Sequence, residues 1–147
     1  MKRVYPKEEV CMACRLCEIA CIVEHSEYKD IFWAFRSEKP RQLPKTKVEE
    51  LGPLSFSANC RHCKEPACIE ACITGALYRT DEEHPVLIDK DRCVACWMCI
   101  MACPYGSINR DERNGTRHST KCDLCPDKEI PACVKACPNR ALIYEER

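Results

Sequence analysis

An α+β fold assembled by duplication, with short helices and β-hairpins, is predicted by three features of this sequence. Its 16 cysteines fall into four groups of four with none left over. Their spacing alternates between compact and stretched, an internal repeat that divides the chain into halves of about 70 residues. Short strand-like runs, rather than long helical stripes, lie between and outside the groups.

Taken in order, "KRVY" (2–5) reads as a strand. The first group, "CMACRLCEIAC", holds Cys11, Cys14, Cys17 and Cys21 in the spacing C-x2-C-x2-C-x3-C, its last cysteine one helical turn beyond the third. Residues 22–59 form the largest insertion between groups. Within it, "FWAFRSEKPRQLPKTK" (32–47) joins three aromatics to Arg36, Lys39, Arg41, Lys45 and Lys47 against only Glu38. Such a mixture anchors interfaces, so 31–59 is expected to dock a partner; the plain reading is a solvated loop with its aromatics tucked under. The second group, "CRHCKEPACIEAC" (Cys60, Cys63, Cys68, Cys72), stretches the middle gap to x4. "GALYRTDEEHPVLID" (75–89) reads as two short strands around a polar turn. The third group, "CVACWMCIMAC" (Cys93, Cys96, Cys99, Cys103), repeats the compact spacing. "GSINRDERNGTRHSTK" (106–121) is polar throughout and reads as a loop. The fourth group, "CDLCPDKEIPACVKAC" (Cys122, Cys125, Cys133, Cys137), has a gap of x7 and, like the second, carries Pro-Ala before its third cysteine (Pro66-Ala67, Pro131-Ala132). "ALIYEE" (141–146) matches the first strand as a partner, and the terminal "EER" is a solvated end.

Composition sets the chemistry. The 147 residues include only 3 Phe, 2 Trp and 5 Tyr, a thin core for that length, so something inorganic is expected to complete it. With 23 basic and 23 acidic residues there is no basic excess, which disfavours nucleic acid as a partner. No apolar run approaches the roughly 18 residues of a membrane span, and the start "MKRVYPKEEVC" has no apolar signal core. A cytoplasmic location follows as the expectation, where dense cysteines mean metal rather than disulfides. Three cysteines at x2 spacing wrap one cubane face from a single loop; a fourth at i+4, on a short helix, is carried off to a second cluster. Zinc needs only two C-x2-C pairs for a tetrahedron, and does not explain a fourth cysteine at x3 in every group. The pattern is that of iron–sulfur clusters.

Two pairings of groups are open on spacing: sequential (one with two, three with four) or nested (one with four, two with three). The hairpin between groups two and three and the matching end strands favour nesting. Cluster 1 then takes Cys11, Cys14, Cys17 and Cys137, and cluster 2 takes Cys122, Cys125, Cys133 and Cys21. Cluster 3 takes Cys60, Cys63, Cys68 and Cys103, and cluster 4 takes Cys93, Cys96, Cys99 and Cys72. No ligand is lost, so four [4Fe–4S] clusters are expected.

"CRHCKEPAC", "CPYGSI" and "KCDLC" resemble the four-cluster ferredoxin-like electron-transfer subunits typified by the iron–sulfur subunit of dimethyl sulfoxide reductase. The likeness covers nearly the whole chain. It implies bacterial-ferredoxin-like modules, 60–105 as an inner pair and 1–30 with 118–147 as an outer pair, ligated in the nested way. Relatives of this kind serve formate dehydrogenases, hydrogenase complexes and other oxidoreductases of anaerobic metabolism. The chain is short for the family and lacks a C-terminal membrane-docking extension, which implies a soluble complex without membrane insertion. It looks most like small subunits associated with carbon monoxide dehydrogenase or tungsten aldehyde oxidoreductase. Ile22 and Ile73 stand where ferredoxins often have proline, while Pro104 and Pro138 keep the pattern; the difference reads as packing variation.

No G-x-G-x-x-G, phosphate loop or C-x3-C-x2-C is present, and the chain has only 4 glycines. The expected role is therefore non-catalytic: electron transfer between a large catalytic oxidoreductase subunit and a flavoprotein, ferredoxin or hydrogenase-type partner. The rivals are a free diffusible polyferredoxin, a polyferredoxin that self-associates into a wire or scaffold, and a zinc-binding module. His62, inside "CRHC", is a candidate hydrogen-bond donor to a cluster sulfur or a spacer. His25, His84 and His118 read as bland, and Trp97 as a cluster cover, a partner contact or core.

Overall fold

Among the described residues no strand exceeds five residues, and an isolated two-stranded ribbon is marginal in water. The ribbons must therefore lean on something else. In the computed structural model, which describes residues 1–146, the order is β1 (Arg3–Pro6), α1 (Leu16–His25), α2 (Ile31–Arg36), β2 (Lys47–Leu51), β3 (Leu54–Ala58), α3 (Ala67–Glu70), β4 (Leu77–Tyr78), β5 (Leu87–Ile88), α4 (Met98–Ala102), β6 (Ile108–Asp111), β7 (His118–Lys121), α5 (Ala132–Lys135) and β8 (Leu142–Glu145). Arg147, the end of "EER", lies outside the described residues. The strands pair as separate antiparallel ribbons: β1 with β8, β2 with β3, β4 with β5 and β6 with β7. In the first, Val4 faces Tyr144 and Pro6 faces Leu142, so the two described ends of the chain are clasped together.

Duplication is written into the backbone. In both compact groups the residue before the second cysteine and the residue after it are left-handed: Ala13 and Arg15 at φ 53° and 60°, Ala95 and Trp97 at 55° and 63°. Alternating handedness turns successive N–H groups to one side and makes an anion-binding concavity. Such conformations cost a non-glycine residue about 1 kcal/mol or more each, so something must hold them. α1 and α4 start directly from Arg15 and Trp97. α3 and α5 start instead from Pro66 and Pro131, whose carbonyls accept the first helical bonds from Ile69 and Val134.

Beyond the fourth cysteine, three groups make the same turn. Gly75 N donates to Cys72 O, Gly106 N to Cys103 O and Arg140 N to Cys137 O. Ile73, Pro104 and Pro138 occupy one equivalent position in it, and Ile73 is 73% exposed, so packing does not decide its identity. Ile22 differs for another reason: α1 does not turn there but runs on to His25. A proline at 22 would remove a helical N–H and clash with the preceding turn. Packing variation is thus the wrong account of both departures.

One expectation for the connecting segments, and the plain alternative for another, need correction. Residues 106–121 are not a loop: β6 and β7 pair from Ile108–Lys121 to Asp111–His118. Asn114 and Gly115 turn the hairpin at φ 55° and 74°, and buried Asp111 accepts from the Arg113 backbone N and Nε. The polar residues of β7 are buried against other protein groups rather than water: Ser119 meets Cys99 and Cys93, and His118 meets Asp111. The insertion is likewise not a loop with hidden aromatics. It folds as α2, capped by Asp30, and the β2–β3 hairpin, and it leaves Phe32 and Trp33 half exposed.

What the ribbons lean on is sulfur. One core cluster comprises Val4, Cys17, Val48, Cys60, Cys122, Leu124, Cys133 and Leu142, half of it cysteine. A second gathers Leu77, Val86, Cys99 and Ile108, with Cys68, Cys72 and Cys103 against it. α1 packs on α5, and α3 on α4.

Candidate metal centres

All sixteen cysteines are free thiols. Three cavities each carry four of them on their walls. One is lined by Cys11, Cys14, Cys17 and Cys137, with Val48 and Leu142. A second is lined by Cys60, Cys63, Cys68 and Cys103, together with His62 and Val86. The third is lined by Cys72, Cys93, Cys96 and Cys99, beside Trp97 and Ser119. Each takes three cysteines from one group and one from another. The remaining four are Cys21, Cys122, Cys125 and Cys133. Burial drives the Cys133 thiol far up, and Cys122, Cys21 and Cys125 add to that rise. Burial also pushes Cys122 up to about 12, against a bond from the Leu124 N–H, with Cys60 and Cys21 close enough to contribute.

Thiols held this high do not ionise unaided; a metal must displace their protons and supply the compensating charge. The donor set fits iron–sulfur clusters on two counts. Soft thiolate is their ligand, and donors converge on the sulfurs. Ala141 N donates to Cys137 Sγ at 3.1 Å, Lys45 N to Cys21 Sγ at 3.2 Å, and Leu77 N to Cys72 Sγ at 3.4 Å. Ser119 Oγ lies 3.1 Å from Cys99 Sγ, and Ser57 Oγ lies 3.4 Å from Cys17 Sγ. Because α1 runs past Cys21 without turning, the insertion supplies through Lys45 the N–H that the local turn supplies elsewhere.

The sets adjoin one another. Cys17 acts on Cys133, and Cys60 on Cys122, while Cys68 and Cys72 pack against the core cluster that holds Cys99. Of the sixteen, Cys14 and Cys96 are exposed.

The histidines divide. His62 is 1% exposed and therefore no surface spacer. Its Nδ1 accepts from Val86 N at 3.0 Å, and burial, with Lys121 and Arg3 nearby, pulls its pKa down to about 2. His25 is not bland. Its Nε2 meets both oxygens of Asp123 at 3.2 Å, and its Nδ1 sits 2.8 Å from Cys21 O. Burial pulls its pKa down, but Asp123 and Cys21 carry it up to about 9. Lys45 Nζ closes the set on Asp123 at 2.7 Å. His118 is buried beside Asp111, whereas His84 is exposed and meets only Asp81. Arg110 and Arg117 lie over the partly covered Trp97 ring, at 5.1 Å and 6.0 Å from its centroid. Asp123 and Lys121 flank Cys122 within "KCDLC", so that motif held the only sequence signal for either.

Comparison with known proteins agrees with this chemistry. Residues 53–147 match the 4Fe-4S dicluster domain. An iron–sulfur protein of Rhodospirillum rubrum is 33% identical, the alignment covering 95% of this chain and 79% of the relative. The electron transport protein HydN of Escherichia coli K12 is 36% identical, covering 93% and 83%. The B subunit of anaerobic dimethyl sulfoxide reductase from the same strain is 33% identical, covering 91% and 68%. Among solved structures, the BamBC active-site complex of benzoyl coenzyme A reductase with benzoyl-CoA superposes at TM-score 0.50 and 22% identity, covering all of this chain and 80% of the other. That likeness concerns the fold alone. Among the described residues no helix is long and apolar enough to cross a membrane. With cysteines gathered in fours and relatives of this kind, the chain belongs to the 4Fe-4S dicluster family, as an iron–sulfur electron-transfer protein of the dimethyl sulfoxide reductase subunit type.

Proposed function

We propose that this chain is a non-catalytic wire of four [4Fe–4S] clusters with nested ligation. Site 1 is Cys11, Cys14, Cys17 and Cys137; site 2 is Cys21, Cys122, Cys125 and Cys133. Site 3 is Cys60, Cys63, Cys68 and Cys103; site 4 is Cys72, Cys93, Cys96 and Cys99. Residues 60–105 form the inner unit, and 1–30 with 118–147 the outer one. The observation that carries this reading is the lining of three cavities by four cysteines each, three from one group and the fourth from its nested partner. Adjacency of Cys17 to Cys133, of Cys60 to Cys122 and of α3 to α4 supports the order 1–2–3–4.

When bound, a fully thiolate-ligated cluster stores and releases one electron and offers no open position for a substrate. The chain's own contribution is environment. The Ala141, Lys45 and Leu77 N–H groups favour the more negative, reduced state at their sulfurs, and burial of Cys21, Cys122, Cys125 and Cys133 keeps water from site 2. Cys14 and Cys96 bring sites 1 and 4 to the surface, where electrons arrive and leave. The partners are a large catalytic subunit, of aldehyde oxidoreductase or carbon monoxide dehydrogenase type, and a flavoprotein, ferredoxin or hydrogenase-type acceptor. The 31–59 insertion docks one of them: Phe32 and Trp33 are half exposed and Arg36 lies over Phe32.

Anaerobically prepared protein should contain about sixteen irons and as many sulfides per chain, four clusters of four. Zinc in their place would sink the proposal. Cys21→Ser tests the ligation: it should perturb the signal of site 2, although Cys21 lies in the first sequence group. Damage confined to site 1 would refute nesting. A large subunit should co-purify from the native cell; a lone monomer would refute the assembly.

A further inference from the structure

Lys121 closes β7 and is 4% exposed. Its ammonium donates to Val86 O at 2.5 Å and to Cys122 O at 2.7 Å, both neutral carbonyls. Among the described residues it forms no ion pair. A buried cation without a counter-charge is strongly unfavourable unless something negative stands by it.

Thiols of two sites stand by it. One acceptor is the carbonyl of Cys122 itself, and the other, Val86, lines the cavity of Cys60, Cys63, Cys68 and Cys103. Cys122 belongs to site 2 and Cys68 to site 3. The ammonium is also fixed in place, because the Val86 peptide that accepts from it donates through its N–H to His62, and Val86 is 1% exposed. The Lys121 side chain thus ends between two groups of sulfur ligands, held there by two backbone carbonyls.

We infer that Lys121 is a positioning residue, a fixed countercation shared by the clusters of sites 2 and 3. The inference rests on the ligation proposed above. Each cluster becomes more negative by one charge on reduction, so a fixed cation beside it favours the reduced form. Both inner potentials are raised together relative to sites 1 and 4, and an electron delivered at either end is drawn inward.

The test is a redox titration of the loaded full-length protein with dithionite and mediators, followed by low-temperature electron paramagnetic resonance. Lys121→Met keeps the stem and removes the charge. It should make two of the four clusters harder to reduce, each by about tenfold in its reduction equilibrium, or about 59 mV for one electron. The other two should move by less than roughly half as much on that scale, and Lys121→Arg should match the unaltered protein. Unchanged potentials, or an equal shift in all four clusters, would overturn the inference while leaving the ligation intact. Iron and sulfide analysis of the unaltered protein separates the two failures, since fewer than four clusters would overturn the ligation and this inference with it. If Lys121→Met loads no iron, Lys121→Arg decides: full loading supports a required charge, and loss of iron there too overturns it.

Discussion

His62 shows how one buried side chain acquires a direction. Val86 N–H occupies Nδ1 as a donor, so the neutral ring must carry its proton on Nε2. That atom is buried and has no partner among the described residues, while the ring stands on the wall of the cavity shared by Cys60, Cys63, Cys68 and Cys103. A buried N–H needs an acceptor, and four sulfurs stand on the same cavity wall. The duplication supplies a control. Leu124 holds the equivalent place in the fourth group, also with positive φ and also buried. His62→Leu should therefore fold and load iron, yet lower the potential of a single cluster by the equivalent of about 1 kcal/mol, the net worth of one hydrogen bond. Titration by electron paramagnetic resonance checks this; an unmoved potential would mean that Nε2 bonds water instead.

At the level of elements, the third and fourth helices are short because they have one task, to carry a cysteine one turn along. α1 has a second task, which is to reach His25 and its bonds to Asp123. The two proline departures then predict opposite outcomes. Ile22→Pro should cost about 3 kcal/mol or more, because it breaks a helix interior. Ile73→Pro should cost no more than about 1 kcal/mol, since Pro104 and Pro138 already make the same turn. Denaturation midpoints of the loaded variants compare them; an equal loss in both would contradict this account of α1. The cysteine spacing made these helices readable from sequence, and "GALYRTDEEHPVLID" made β4 and β5 readable. β6 and β7 were hidden because the usual cue, apolar residues alternating with polar ones, fails where a strand buries Ser119, Thr120 and Lys121, the first of them against Cys99 and Cys93. Asn114-Gly115 was the one local signal for that hairpin.

Across the whole molecule, sequence revealed the sixteen cysteines but not their electrostatic surroundings. His25, Lys45, Asp123 and Lys121 act across 98, 78 and 35 positions of chain, through His25–Asp123, Lys45–Asp123 and Lys121–Val86. No local pattern encodes such distances. The clasp of β1 and β8 was anticipated only because both runs are strand-like, and it predicts how shortening the chain acts. Stopping after Tyr144 removes Glu146, whose bond to the Met1 amine is exposed and screened by solvent, so stability should change little. Val4–Tyr144, Tyr5–Ile143 and the Lys7 N to Ala141 O bond survive, so iron content should stay full. Stopping after Ala136 removes Cys137 together with buried Ala141 and Leu142. It strips Val4 of its partner strand and leaves the cavity of Cys11, Cys14 and Cys17 open on one side. Iron should fall by at least a quarter, one cluster in four. Residues 1–15, although untouched in sequence, should become cleavable by added protease. Full iron with a protected N-terminus in the shorter chain would show that the two ends fold independently, against the clasp.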